Sequence, residues 1–321
     1  MPGLLRFGLF PLGLAGSPGG VASGPPDDFV KIADAVQGLQ GDGPPLLIRM
    51  YVSWSGASSS AGVLAQVAQL VDSNVSSWDL VLAYRDPAGD VAGWADFVAS
   101  VVERYGRQLE AIQVTGEANL THVPAAADGA FPNATEAFVH GVLAASQAKR
   151  RHRATAAIGF AVSPEVQPAS APFWPAVAAM AGDEIATAVD YAGLDMYPDV
   201  FGPRLGLDQL DGAVDWLLRS FRDQALPIAG IGLGVPIRIC ENGWPTGAGR
   251  NESRQADVLE SVLRCVDARA SELNVTHWEL FTLRDADSSK DDLFHNFGIL
   301  RDDYSPKPAY DRLVRLFAEL A

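Results

Sequence analysis

At 321 residues, 48% hydrophobic and 20% charged, the chain has the composition of a soluble globular enzyme, and α/β barrels of this length fold as one domain. Twenty-four basic against thirty-nine acidic residues leave a net charge of −15, which argues against nucleic acid or an anionic membrane as a partner. Two cysteines, Cys240 and Cys265, make no disulfide framework.

Short apolar runs of strand length alternate with stretches of helical spacing eight times. A first strand is expected near 4–10, then a Gly/Pro/Ser-rich loop and a helix near 27–39 opened by Asp27-Asp28. Pro45–Val52 is the second strand, leading through Ser53-Trp54-Ser55-Gly56 to a helix near 61–73. Trp78–Tyr84 is the third, with a helix near 90–105. The fourth runs from Leu109 to Glu117, followed by a long loop and a helix near 134–150. Thr155–Val162 and a helix near 171–188 make the fifth unit. Tyr191–Tyr197, stopped by Pro198, and a helix near 206–224 make the sixth. The seventh strand delivers Glu241, and Asn251 caps the helix near 251–272. His277–Leu283 is the eighth strand, and the closing helix is expected to start around Ser305-Pro306. Eight strand-helix repeats predict an α/β fold, a single closed (β/α)₈ TIM barrel spanning 1–321.

The apolar Leu4–Leu14 segment is broken by Gly8, Pro11 and Gly13, has almost no basic lead-in and lacks a small-x-small site, so it is read as a strand and not a leader. No other run has the length and composition of a membrane span. A cytoplasmic location is expected, in which Asn-x-Ser/Thr sequons such as Asn119-Leu120-Thr121 have no role.

Two strand ends carry the chemistry. Ile237–Cys240 is a short strand that ends in Glu241-Asn242-Gly243-Trp244-Pro245, where Gly and Pro stop the ladder beside a carboxylate and an indole. By strand alternation Cys240 points away into packing. Upstream, Gln113-Val114-Thr115-Gly116-Glu117-Ala118-Asn119 ends a second strand in a carboxylate. In (β/α)₈ barrels chemistry sits at the C-terminal strand ends, and there this chain places Trp54, Tyr84, Asn119, Tyr197, Trp244 and Phe281, with His295 in the loop after the eighth strand. Two such glutamates suit double displacement at a sugar: one attacks, and the other donates and later takes a proton.

These motifs resemble the clan A glycoside hydrolases, barrel enzymes with an acid/base on strand four and a nucleophile on strand seven. The resemblance implies Glu117 as acid/base and Glu241 as nucleophile, with Tyr197 in Asp195-Met196-Tyr197-Pro198 bonded to the nucleophile and Arg49 helping to hold it ionised. It implies a carbohydrate substrate, β-linked, and no cofactor or metal. The Lys307-Pro308 pair before the last helix is also similar to such enzymes. The chain departs from the clan in two places. Gly116 stands where an Asn usually binds the sugar 2-hydroxyl, so that hydroxyl either goes without this partner or is met by Asn119 or a neighbour. Phe281 stands where the eighth strand usually ends in Trp.

Other chemistries fit less well. The five histidines show no metal-ligand spacing. Lys31, Lys149, Lys290 and Lys307 fall on helices or loops, away from the strand end that a Schiff-base lysine needs. Gly230–Gly234 precedes a strand and reads as a turn. The alternative that stays open is a catalytically weak carbohydrate-binding barrel derived from such an enzyme, favoured by Gly116 and Phe281.

Overall fold

A computed structural model describes residues 5–73, 77–247 and 249–320. Leu4, at the edge of the expected first strand, and the sequon Asn74-Val75-Ser76 lie outside them. The eight strands are β1 (Arg6–Phe10), β2 (Leu47–Trp54), β3 (Trp78–Tyr84), β4 (Ala111–Gly116), β5 (Ala157–Val162), β6 (Tyr191–Asp195), β7 (Ile237–Asn242) and β8 (Val275–Phe281). They follow one another around a closed barrel, in which β8 returns to β1. A short hairpin, Ala15–Ser17 against Gly20–Ala22, decorates the loop after β1.

By its contacts the chain divides into two units. One comprises Met1–Leu47, Met196–Leu218 and Ile239–Ala321. In it β1 pairs parallel with β8 from Arg6↔His277 to Phe10↔Phe281. Its helices are α1 (Phe29–Gln40), whose cap Asp28 accepts the N–H groups of Val30 and Lys31, and later α7 (Leu207–Arg219), α8 (Glu252–Leu273) and α9 (Pro308–Leu320). Asn251 caps α8 through the Arg254 N–H, as expected. Phe317 of α9 stacks on Phe7 of β1 at 4.3 Å and meets Trp278 of β8 edge-on, so the last helix seals the first and last strands.

The other unit comprises Ile48–Asp195 and Arg219–Arg238. Parallel ladders join β2 to β3, β3 to β4, β4 to β5 and β5 to β6. α3 (Val91–Tyr105) and α4 (Ala134–His152) cover the sheet with buried stripes. Glycine at 159 is needed because a side chain there would run into the Tyr191 ring of the neighbouring strand.

Three boundaries differ from expectation. The 171–188 segment is two helices, α5 (Phe173–Ala181) and α6 (Glu184–Ala188), because Gly182 at φ 50° ends the first. The α-helix of the sixth unit stops at Arg219 and continues as a π turn, Ser220–Ala225, and a 3-10 turn, Leu226–Ala229. The closing helix begins at Pro308, not near Ser305, so Pro308 and not Pro306 occupies its first position.

Candidate active site

β4 ends irregularly. Its register with β5 shifts between Gln113 and Gly116, and Thr115 and Glu117 sit at φ 64° and 47°. Left-handed backbone is costly for side-chain-bearing residues, most of all a β-branched one, and persists where neighbours over-determine it. Here they do. Gln113 Nε2 donates to the Thr115 carbonyl at 2.8 Å. The Gly116 N–H donates at 2.8 Å to Asp128 Oδ2. The Glu117 N–H donates to the Ala161 carbonyl of β5 at 3.2 Å. The bulge turns the chain so that Glu117 emerges part-exposed at the strand end.

Asp128 is the buried post beneath this turn. Besides Gly116 it accepts the Tyr84 N–H at 2.8 Å and pairs with Arg85 Nε at 3.1 Å. Burial outweighs Arg85 and the two amides and pushes its carboxyl up to about 6. Arg85 also donates to the carbonyls of Pro124, Ala126 and Ala127, which fastens the loop after Glu117.

Around the Glu117 carboxylate, Ser163 Oγ donates to Oε1. Asn119 grips Ser163 by both backbone groups, donating Nδ2 to its carbonyl at 2.8 Å and accepting its N–H on Oδ1 at 3.0 Å. Glu165, two residues on, is raised above the ordinary carboxylate range by burial, partly offset by a hydrogen bond to Asn119.

β7 delivers Glu241, part-exposed, with the Tyr197 hydroxyl donating to Oε2 at 2.6 Å. Backbone bonds fix this strand end: the Met196 N–H donates to the Glu241 carbonyl at 2.8 Å, and Asn242 Nδ2 donates to the Met196 carbonyl at 2.6 Å. Gly243 lies against the Phe281 carbonyl, where any Cβ would collide. That glycine serves close approach, not a special backbone angle. Tyr197 meets Phe281 at 6.2 Å, Phe297 at 5.8 Å and Phe201 at 5.5 Å, all edge-on. Phe201 is 61% exposed and stacks on Phe294 at 6.2 Å, an open aromatic face next to the tyrosine that holds Glu241.

The remaining expected site residues divide. Phe281 is part-exposed within this aromatic group, stacked on Phe10. The His295 ring is 22% exposed and oriented by a 2.7 Å contact between Nδ1 and Asp292 Oδ2. Arg49 is buried in the other unit and donates to Asp79 at 2.9 Å, Gln113 at 2.6 Å and the Tyr51 hydroxyl at 2.8 Å. Trp54 and Tyr84, expected to contact substrate, are 0% exposed. They oppose each other across β2 and β3 and pack on Trp94 of α3, because strand parity sends both toward the helical layer. Trp244 is also buried, its Nε1 donating to Asp199 at 3.1 Å beneath the Arg250 guanidinium. Asn119 is part-exposed and engaged with Ser163 and Glu165.

Sequence reasoning missed Ser163, Asp128 and Phe201. Ser163 ends a strand, as both glutamates do, and that position was the available signal. Asp128 and Phe201 lie in loops whose partners are far along the chain. Among the described residues no group of three His, Cys, Asp or Glu side chains is placed to hold a metal ion, and no helix is long and apolar enough to cross a membrane.

No family model and no curated protein matches this sequence. Solved structures do match in shape. A β-glucosidase from Exiguobacterium marinum superposes with a TM-score of 0.62 at 14% identity, covering 99% of each chain. The β-glycosidase BGL167 gives 0.61 at 15%, covering 91% of this chain and 85% of that one. A β-D-glucuronidase from Dictyoglomus thermophilum gives 0.60 at 11%, and this chain spans 51% of its length.

Proposed function

The fold is the (β/α)₈ barrel of the clan A glycoside hydrolases, and we propose that the chain, as one catalytic domain, is a retaining hydrolase of β-linked glycosides. The observation that carries the reading is that the ends of β4 and β7 each present a part-exposed glutamate gripped by a hydroxyl, Ser163 on Glu117 and Tyr197 on Glu241. Glu241 attacks the anomeric carbon while Glu117 passes a proton to the departing oxygen. Water then opens the glycosyl ester with Glu117 as base. The Tyr197 hydroxyl fixes the orientation of the attacking carboxylate and yields it as the new C–O bond forms. A retaining pair works at a carboxyl separation of about 5–5.5 Å.

The test is kinetic. Glu241→Gln should abolish turnover of an activated aryl β-glycoside while leaving the fold intact. Glu117→Ala should release the first aryl group in a burst and then stall, and azide should restore the rate with a β-glycosyl azide as product. An α-azide, or near-normal turnover in both variants, sinks the assignment. Gly116 favours the second reading, a weak or inactive glycan-binding barrel, because among the described residues none but its chain neighbours lies within 4 Å of where its Cβ would be. In that case wild type binds oligosaccharide and azide has no glycosyl ester to intercept.

A further inference from the structure

Building on Glu117 as acid/base, we propose that Ser163 is its positioning residue: its hydroxyl holds Glu117 Oε1, and Asn119 fixes the serine. The placement is built from both sides. Asn119 closes two hydrogen bonds on the Ser163 backbone, at 2.8 and 3.0 Å, as a neighbouring strand would. Pro164 follows and confines Ser163 to extended backbone. Only the staggered wells of χ1 then remain to aim Oγ. On the other side, the Glu117 main chain is held by the Ala161 carbonyl at 3.2 Å. Residues 161 and 163 of one strand end therefore seize Glu117 twice, by backbone and by carboxylate.

This has a chemical consequence. With Oε1 accepting from Ser163, Oε2 is assigned the transferable proton. In the first step the O–H bond at Oε2 breaks as a bond to the leaving oxygen forms, and the resulting carboxylate keeps the serine hydrogen bond. In the second step Oε2 takes a proton from water. A hydroxyl that donates to a carboxylate favours the ionised form, so Ser163 eases proton release and keeps the base from holding its proton too tightly. The titratable and charged groups about this end of β4 include Asp128 with Arg85, beneath Gly116, and Glu165 on Asn119. Under the proposed function Glu241 joins them.

Ser163→Ala keeps both backbone bonds to Asn119 and removes only the hydroxyl. Ser163→Thr restores it. In protein carrying ¹³C-labelled glutamate, with the Glu117 resonance assigned by its loss in Glu117→Gln, the Glu117 carboxyl should titrate about one pH unit higher in Ser163→Ala than in wild type. Ser163→Thr should return it to within a few tenths. A second variant, Asn119→Ala, should move it the same way while leaving the serine present. An unchanged titration in Ser163→Ala overturns the proposal. The alkaline limb of kcat/KM on an aryl glycoside should move up by the same interval. If the carboxyl moves but wild type turns over no glycoside, the hydrolase reading fails while the hold of Ser163 on Glu117 stands, so the two failures are told apart.

Discussion

Asp128 shows how one side chain can govern a strand end. It is raised to about 6 from 3.8, chiefly by burial, so the folded protein holds this proton more tightly than the unfolded chain does. Its contribution to stability is complete below the unfolded value and is lost as pH rises through about 6, amounting to about 3 kcal/mol across the window. Urea unfolding of wild type and Asp128→Asn between pH 4 and 7 should give curves whose difference changes over that interval, with wild type losing relative stability as pH rises. Parallel curves would show that Asp128 keeps its charge there. The open space at Gly116 leads to a second expectation. Gly116→Asn should fold normally and raise kcat/KM on a β-glycoside bearing a 2-hydroxyl more than on its 2-deoxy analogue, because a hydrogen bond to that hydroxyl strengthens in the transition state. An equal change on both substrates would mean that the amide does not reach the sugar. The placement of Glu117 and Glu241 at strand ends was legible in the sequence because a carboxylate ending an apolar run is a local pattern. Trp54, Tyr84 and Trp244 were misread because proximity to a strand end says nothing about parity or cover. Asp128 was illegible, and Ser163 was marked only by its place after a strand, because their roles exist only once other segments arrive.

At the scale of elements, strand positions were legible to within about two residues, as apolar runs and turn residues are strong local signals. Helix ends were less so. The stop at Gly182 and the π turn after Arg219 are set by backbone geometry and tertiary packing that leave no periodic trace. The start of α9 is instructive. Lys307 is 2% exposed and donates to Asp285 Oδ1 at 2.7 Å and Thr246 Oγ1 at 2.8 Å, so the residue before Pro308 ties α9 to the loops after β8 and β7. Removing one partner of such a pair strands a buried charge. Lys307→Ala should cost about 3–5 kcal/mol in chemical denaturation. Lys307→Met with Asp285→Leu should recover much of that, since replacing both charges by apolar groups is often neutral or better. A double variant no more stable than the single one would mean that Thr246 and Ser288, which also bond this group, dominate it.

For the whole molecule, the alternation of eight strands and helices carried the fold class, whereas the division into two units of discontinuous chain could not be read from a linear pattern. That division bears on how the protein is made. One edge of β1 pairs with β8, and the Asp28 N–H meets the Tyr304 hydroxyl across 276 residues. On the ribosome that edge of the first strand therefore waits for almost the entire message to be read. At about 5–20 residues per second that wait is on the order of tens of seconds, during which an apolar edge lies open. Nascent chains stalled before residue 275 should be cut by protease near the first strand and bound by holdase chaperones. Chains stalled with residue 320 clear of the exit tunnel should resist both. Equal protection at the two lengths would mean that β1 finds temporary shelter elsewhere, and the birth of this barrel would then be gradual where its geometry calls for a final, abrupt closure.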